Sequence, residues 1–364
     1  MPLPCIDPAR YDKQLDEKLA GFKAAFAPFD LPEPAVFKSA PTHYRLRAEF
    51  RTWHHGDELD YAMFDPENPK RPILMQDFPA ASELICAAMP RLREQVMASE
   101  ILKKRLYAVD FLGTLSGELM ITLIYHRKLD ADWEQAARQL AADLQVQIIG
   151  RSRGQKIILE RDWVLESFEL NGRPLKYQQF ENSFTQPNGG VNRQMLGWAC
   201  QQAQGLGGDL LELYCGNGNF TMALAPLFDK VLATEVSKPS VHSAQYNLAV
   251  NEVKNTQIVR MSSEEISAAL SGREIFNRLA GIDLASHQFS TIFVDPPRSG
   301  LDATALALAG SFQNILYISC NPQTLLENVS ALHATHRIKA AALFDQFPYT
   351  HHLESGLLLT RQAA

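Results

Sequence analysis

Two side chains late in the chain have the right types for covalent chemistry. Cys320 stands in Ser319-Cys320-Asn321-Pro322, and Glu354 ends the run Phe347-Pro348-Tyr349-Thr350-His351-His352-Leu353-Glu354. A thiolate adds to an electron-poor carbon, and a carboxylate can remove the proton that must later leave. Pro322 suits the first helical position and Asn321 an N-cap, which predicts a helix over 323–329. Cys320 is then expected just ahead of a helix N-terminus, where partial positive charge favours the thiolate. An unperturbed thiol of pKa about 8.5 is only a few per cent ionised at neutral pH, so that placement matters. His351 and His352 are second candidates for the base. Cys215 is a competing nucleophile, but it stands beside Gly216 and Gly218, where a small residue serves packing.

The glycines open a second site. Asp209-Leu210-Leu211-Glu212-Leu213-Tyr214 is a short apolar run, Cys215-Gly216-Asn217-Gly218-Asn219 a loop, and Phe220 to Leu227 reads as helical. Glycine lets the loop turn tightly and approach a ligand. The next apolar run ends in Glu235, whose carboxylate can accept both hydroxyls of an adenosyl ribose. Phe220 and Thr221 follow where GxGxxG would continue, so a pyrophosphate-binding turn for NAD is disfavoured. Asp295-Pro296-Pro297-Arg298 ends another strand, and its prolines stiffen the turn that aims Asp295 and Arg298.

The elements that position these residues follow a regular order. Strands at 209–214, 230–235, 257–260, 291–295 and 315–319 alternate with helices, which implies a doubly wound, mostly parallel Rossmann-like sheet in the C-terminal half. Each motif falls at a strand's carboxyl end, where such sheets bind ligands. The N-terminal half reads as α+β: strands at His43–Arg51 and Leu119–His126, a helix at Trp133–Leu144, and an amphipathic helix after a short lead-in. The predicted division is 1–180 and 181–364, with a hinge at Asn182–Asn188.

With 46% hydrophobic and 21% charged residues the composition is that of a globular protein. No apolar run is long enough to span a membrane and no secretory signal pattern is present, so a cytoplasmic location is expected. The cysteines at 5, 86, 200, 215 and 320 have no paired spacing, so no metal site and no iron–sulfur cluster are expected. The histidine pair lacks HExxH spacing. Residues 1–180 carry 24 Lys and Arg against 26 Asp and Glu, and residues 181–364 carry 11 against 15. Nucleic-acid binding must therefore come from local patches. Candidates are the Arg45/Arg47/Arg51 face, Lys103-Lys104-Arg105 with Tyr107, His126-Arg127-Lys128, and Arg151 with Arg153 and Lys156.

Together, GNGNF, DPPRSG, SCNP and FPYTHHLE resemble, in this order, the tRNA (uracil-5-)-methyltransferase family of RNA 5-methyluridine methyltransferases. The stretch Arg45–Phe50 and Glu181-Asn182-Ser183-Phe184-Thr185-Gln186-Pro187-Asn188 extend the resemblance over nearly the whole chain. It implies a methyltransferase sheet with an N-terminal RNA-binding part, and S-adenosyl-L-methionine as cofactor. The implied reaction is methylation of carbon 5 of the T-loop uridine at position 54 of tRNA. Cofactor contacts would be Gln186, Tyr214, Asn219, Glu235 and Asp295. Cys320 would be the nucleophile adding to carbon 6, and Glu354 the proton acceptor. RNA contacts are expected from Arg298, Arg51, Tyr107 and His126. Arg298 stands where amino-methylating enzymes usually carry Tyr or Phe, which points away from that reaction. The ribosomal members carry a further barrel and a four-cysteine iron–sulfur site, and this chain has neither the length nor the cysteines. Alternatives are carbon 5 methylation of uridine in another RNA (rRNA or tmRNA) and an RNA-binding folding helper.

Overall fold

The computed structural model describes residues 6–65 and 68–362, so Cys5 lies outside the described residues. In chain order, helix α1 (Tyr11–Phe26) and strand β1 (Ala35–Phe37) precede strands β2 (Arg47–His55), β3 (Glu58–Asp65) and β4 (Asn68–Met75). Helices α2 (Glu83–Met97) and α3 (Glu100–Lys103), strands β5 (Leu106–Gly113) and β6 (Leu119–Tyr125), and helix α4 (Ala131–Leu144) follow. Strands β7 (Gln147–Ser152), β8 (Gln155–Ile158), β9 (Trp163–Leu170) and β10 (Arg173–Phe180) complete the first half. The second half contains α5 (Gly189–Ala203), β11 (Asp209–Leu213), α6 (Thr221–Leu224), β12 (Val231–Thr234), α7 (Lys238–Val250), β13 (Thr256–Val259) and α8 (Ser263–Leu270). Then come β14 (Phe289–Val294), α9 (Ala303–Ala309), β15 (Asn314–Ser319), α10 (Pro322–Leu332), β16 (His336–Phe344) and β17 (Glu354–Arg361).

Contacts sort the chain into two compact units. One holds Ala40–Ser167 and Gln179–Gly189; the other holds Ala9–Ser39, Phe168–Gln178 and the chain from Gly190 on. This grouping differs from a single division at residue 180. Helix α1 buries Tyr11, Leu15, Phe22 and Phe26, and Phe22 and Phe26 share a core with Leu211, Ile292 and Leu343. Strand β1 pairs in parallel with β16, Phe37 opposite Phe344. The N-terminal segment is thus built into the C-terminal unit by its apolar side chains. The hinge predicted at Asn182–Asn188 falls in the first unit.

The first unit is a seven-stranded sheet in the order β4-β3-β2-β5-β6-β7-β8. Its neighbours are antiparallel except β6 and β7, which α4 joins as a crossover, as parallel neighbours require. Helix α4 presents Trp133, Ala137, Leu140 and Leu144 to the sheet. Gly150 on β7 lies so close that a Cβ there would collide with the Trp133 ring. Along β2, Ala48 and Phe50 are buried, while Glu49, Arg51 and Trp53 on the other face are exposed. Period-two patterning therefore leaves one face of this sheet polar.

The second unit carries an eight-stranded sheet, β1-β16-β17-β15-β14-β11-β12-β13. Strands β13, β12, β11, β14 and β15 are parallel neighbours, and β17 runs antiparallel between β15 and β16. The chain reverses its direction of growth between β11 and β14, which opens a crevice beyond their carboxyl ends. Strands β11, β12 and β15 are buried throughout, as strands covered on both faces must be.

Candidate active site

Strand β11 ends at Leu213, and Tyr214 then adopts φ +60°, a left-handed conformation uncommon for a bulky residue. Gly216 and Gly218 follow with φ of +56° and +83°, which only glycine takes readily. The turn closes through Gly218 N–H donating to Cys215 O at 2.8 Å. The Gly216 N–H donates to Glu235 Oε2 at 3.0 Å, and the Ser237 N–H to Glu235 Oε1 at 2.7 Å. Two backbone amides therefore aim the Glu235 carboxylate, and each oxygen keeps a lone pair for a ligand hydroxyl.

A cavity of about 320 Å³ lies here, lined among others by Tyr214, Glu235, Val236, Met261, Ser263 and Asp302. Pro297, Ser299 and Gly300 of the DPPRSG turn close it from the other side. Its lining includes Glu235, Glu264 and Asp302 and no Lys or Arg. That donor set repels a pyrophosphate and suits a hydroxyl-bearing, cationic ligand, so the residues fit S-adenosyl-L-methionine. Asn219 is not among the lining residues and exchanges two amide hydrogen bonds with Asn192 at 2.8 and 3.0 Å. Gln186 belongs to the first unit.

The DPPR turn leaves β14 at Val294. Gly300 N–H closes it onto Pro297 O at 2.8 Å, and Asn321 Nδ2 and Thr324 Oγ1 donate to Arg298 O at 3.0 and 3.3 Å. Asn321 caps α10 by accepting from Gln323 N at 3.1 Å, with Pro322 in the first turn. Cys320 thus sits where the capping signals predict. In the antiparallel ladder of β15 and β17 the last pair is Ser319 with Ser355. Cys320 follows directly on Ser319 and Glu354 directly precedes Ser355, so both lie at this end of the ladder, and the Glu354 carboxylate acts electrostatically on the Cys320 thiol. Glu354 is 5% exposed, and Cys320 is half-buried.

Electrostatics here runs against one expectation. The helix N-terminus was expected to favour the Cys320 thiolate. Instead burial, reinforced by the Glu354 and Asp295 carboxylates, pushes the thiol up to about 11, with Arg298 opposing. Two nearby carboxylates and partial desolvation outweigh the partial charge of a helix end. Burial also raises Glu354 to about 8, with Asp295 adding and Arg298 opposing, and raises Asp295 to about 7. Arg298 is the charge that favours the ionised forms of both Cys320 and Glu354.

Two further groups remain: His352, a second candidate for the base, and Glu212, which the sequence reading did not single out. His352 lies with both ring nitrogens 3.3 Å from an Arg298 nitrogen; burial first, then Arg298, His351 and Lys18, lower it to about 4. A histidine that weakly basic makes a poor proton acceptor compared with Glu354. Glu212 on β11 is 1% exposed and its Oε2 has no hydrogen-bond partner. Burial raises it to about 8, with Asp295 adding and Thr221 opposing. Its only signal in the sequence is one acid inside an apolar run. Cys215 is buried and its thiol driven well up by desolvation, then by Glu212 and Glu235, consistent with a packing role.

In the first unit, Arg51 lies over the Tyr107 ring with Cζ 3.6 Å from its centroid. Tyr107 stacks on His126 at 3.8 Å between centroids and 26° between planes. The other basic clusters are largely committed. Arg47 donates to Ser183 O at 2.9 Å, and burial lowers both Arg45 and Arg47. Arg151 grips Glu181 with Nε and Nη2, Lys156 pairs with Asp162 at 2.6 Å, and Lys103 pairs with Glu100 at 2.7 Å. Arg127 donates to the carbonyls of Ile101 and Lys104.

Comparison with known proteins agrees with this geometry. The family model described as tRNA (Uracil-5-)-methyltransferase matches residues 10–362. The tRNA/tmRNA (uracil-C(5))-methyltransferase of Aromatoleum aromaticum is 69% identical over 362 residues, covering 100% of this chain and 98% of that protein. Its counterpart from Dechloromonas aromatica is 67% identical over 362 residues, covering 100% of both. Among solved structures, Pyrococcus abyssi tRNA (uracil-54, C5)-methyltransferase in complex with S-adenosyl-L-homocysteine superimposes with a TM-score of 0.72 at 21% identity. That match covers 96% of this chain and 83% of the other and shows a shared fold. By sequence over nearly its whole length, the chain belongs to the tRNA (uracil-5-)-methyltransferase family.

Proposed function

We propose that this enzyme methylates carbon 5 of the T-loop uridine of tRNA, with Cys320 as covalent nucleophile and Glu354 as base. Membership of the family makes it an S-adenosyl-L-methionine-dependent tRNA (uracil-5-)-methyltransferase. The observation that supports the finer reading best is that β15 and β17 bring Cys320 and Glu354 to the same end of their ladder, with Asp295 and Arg298 within electrostatic reach.

Carbon 5 of uracil is a weak nucleophile. Addition of the Cys320 thiolate to carbon 6 moves the ring's double-bond electrons onto the carbon 4 oxygen and gives an enolate, nucleophilic at carbon 5. S-adenosyl-L-methionine, when bound, supplies an electrophilic methyl group on a sulfonium. Once carbon 5 carries that methyl, Glu354 takes its remaining proton. The C5–H electrons restore the double bond as the carbon 6–sulfur bond breaks and Cys320 leaves as thiolate. With a carboxyl near 8, Glu354 is close to the pKa at which a base works best near neutral pH. Arg298 stabilises the thiolate and the ionised base. Tyr214, Asn219, Glu235 and Asp295 are the residues we assign to the cofactor.

We assign the Arg51–Tyr107–His126 stack to RNA, as a platform for splayed loop bases. The names of the relatives also include tmRNA, which favours a second RNA substrate of the same kind. Among the described residues no helix is long and apolar enough to cross a membrane, and a cytoplasmic site of action accords with such substrates. The test is incubation with labelled cofactor and unmodified tRNA, followed by nucleoside analysis and mapping. Label in 5-methyluridine of the T-loop is expected; label in another nucleoside or another arm would refute the assignment.

A further inference from the structure

Residues 345–353 connect β16 to β17, and they deliver Glu354 to its place opposite Phe344. The connection is anchored to α1, far away in sequence. Lys18 Nζ donates to Asp345 Oδ1 at 2.7 Å and to Phe347 O at 3.0 Å. Gln14 Nε2 donates to Asp345 Oδ2 at 2.8 Å. The side chains of Lys18 and Asp345 are 8% and 0% exposed. Tyr11 meets Tyr349 edge to face at 6.0 Å, and Tyr349 has φ +62°, a conformation that needs such support.

From that anchor the contacts run toward the reacting groups. Phe347 O also accepts from Thr350 Oγ1 at 2.8 Å, and Thr350 Oγ1 accepts from His352 N at 3.2 Å. The His352 ring packs against Phe347 and lies 3.3 Å from the Arg298 guanidinium. Arg298 is the cation facing Cys320 and Glu354.

We infer that Lys18 and Asp345 are positioning residues: helix α1 clamps the 345–353 connection and thereby sets His352 against Arg298 and fixes Glu354 for proton removal. A buried ion pair is a weak source of net stability, because desolvation consumes most of the attraction, and fixing one geometry is its best-attested use. The clamp is placed to do that. The Asp345 N–H, donating to Phe37 O at 3.0 Å, and the buried Leu353 hold the ends of the connection, so the clamp acts on its middle, and a displacement of about 1 Å at a base lowers rate by up to about a hundredfold. The inference rests on Glu354 being the base.

The test is Lys18→Met/Asp345→Leu in the full chain, which removes both charges together and leaves no lone buried ion. The expected variant melts near the wild-type temperature. Losing the Lys18 charge raises His352 by itself, so the positioning readout is the contact of His352 with Arg298, followed through the NMR shifts of the His352 ring at a pH where it is neutral in either geometry. That contact is lost, and turnover on unmodified tRNA falls at least about tenfold with the KM for S-adenosyl-L-methionine unchanged. A folded variant in which either the His352 contact or the turnover keeps its wild-type value overturns the proposal. If the double variant does not fold, Lys18→Gln decides by the same two readouts. It keeps a donor for Asp345 but is too short to reach Phe347 as well, so a smaller change in the ring shifts and about a threefold loss are expected. Glu354→Gln, assayed in parallel, separates the two readings. Full turnover there would remove Glu354 as base, while the His352 ring shifts would still report whether α1 holds the connection.

Discussion

One buried acid of the first unit and three of the second differ in whether a cation pairs with them. In the first, Glu181 takes two hydrogen bonds from Arg151 and an ion pair from Lys156 at 3.2 Å. Burial works to raise it, but those partners together hold it below the ordinary carboxylate range. In the second, Glu354, Asp295 and Glu212 are desolvated at strand ends with no such partner, and all three are raised. Asp110 of the first unit is also raised, to about 7, by burial and then by Glu49 and Glu181, so a raised acid does not by itself mark a reactive site. What sets Glu354 and Asp295 apart is that both act on a half-buried cysteine thiol.

The largest effect should come from the second unit. Cys320→Ala is expected to abolish 5-methyluridine formation while binding of S-adenosyl-L-methionine and of RNA changes little; residual turnover above about one per cent of wild type would end the covalent mechanism. Next, Tyr107→Ala in the first unit should weaken RNA binding by about 1–3 kcal/mol, the worth of one stacked base, with cofactor affinity unchanged by calorimetry. Equal RNA affinity would remove the platform and blur the division of labour. A further effect concerns stability and pH, not turnover. Because Glu354 is raised from 4.5 to about 8, the folded state holds a proton that the unfolded chain has lost over that window. Its contribution to stability therefore declines as pH rises from about 4.5 to 8 and is level beyond. Glu181, held low, works with the opposite sign, and its contribution is lost as pH falls through its depressed value. Denaturant titrations of Glu354→Gln should show a flatter slope between pH 5 and pH 8, the difference being on the order of a few kcal/mol across the window. An unchanged slope would mean that Glu354 is solvated.

Much of the second unit was legible. The predicted strand 291–295 is β14 (Phe289–Val294), 315–319 is β15 (Asn314–Ser319), and the final strand expected after Glu354 is β17. Asn321 and Pro322 cap α10 as their chemistry requires. The errors have common causes. Strand β2 begins at Arg47 rather than His43, and Arg45 and Arg47 are half-buried instead of sharing an exposed basic face with Arg51. Alternation gives the face of a strand but not what covers it. The thiolate expected at Cys320 failed for a similar reason: a cap is local, whereas the carboxylates that oppose it arrive from β14 and β17.

Residue order alone determined the alternation of strands and helices, the glycine turn, the stiff Pro-Pro corner and the candidates for a nucleophile and its base. Those are local consequences of backbone freedom, capping and side-chain type. Tertiary structure decided what lies beside what: that α1 joins the second unit, that Lys18 meets Asp345, that Arg298 meets His352, and that Glu354 comes within electrostatic reach of Cys320. Each of these pairs is separated by at least 34 residues along the chain, and only sheet register and core packing can bring them together. The ionisation of each group depends on those neighbours, so it too is a property of the fold.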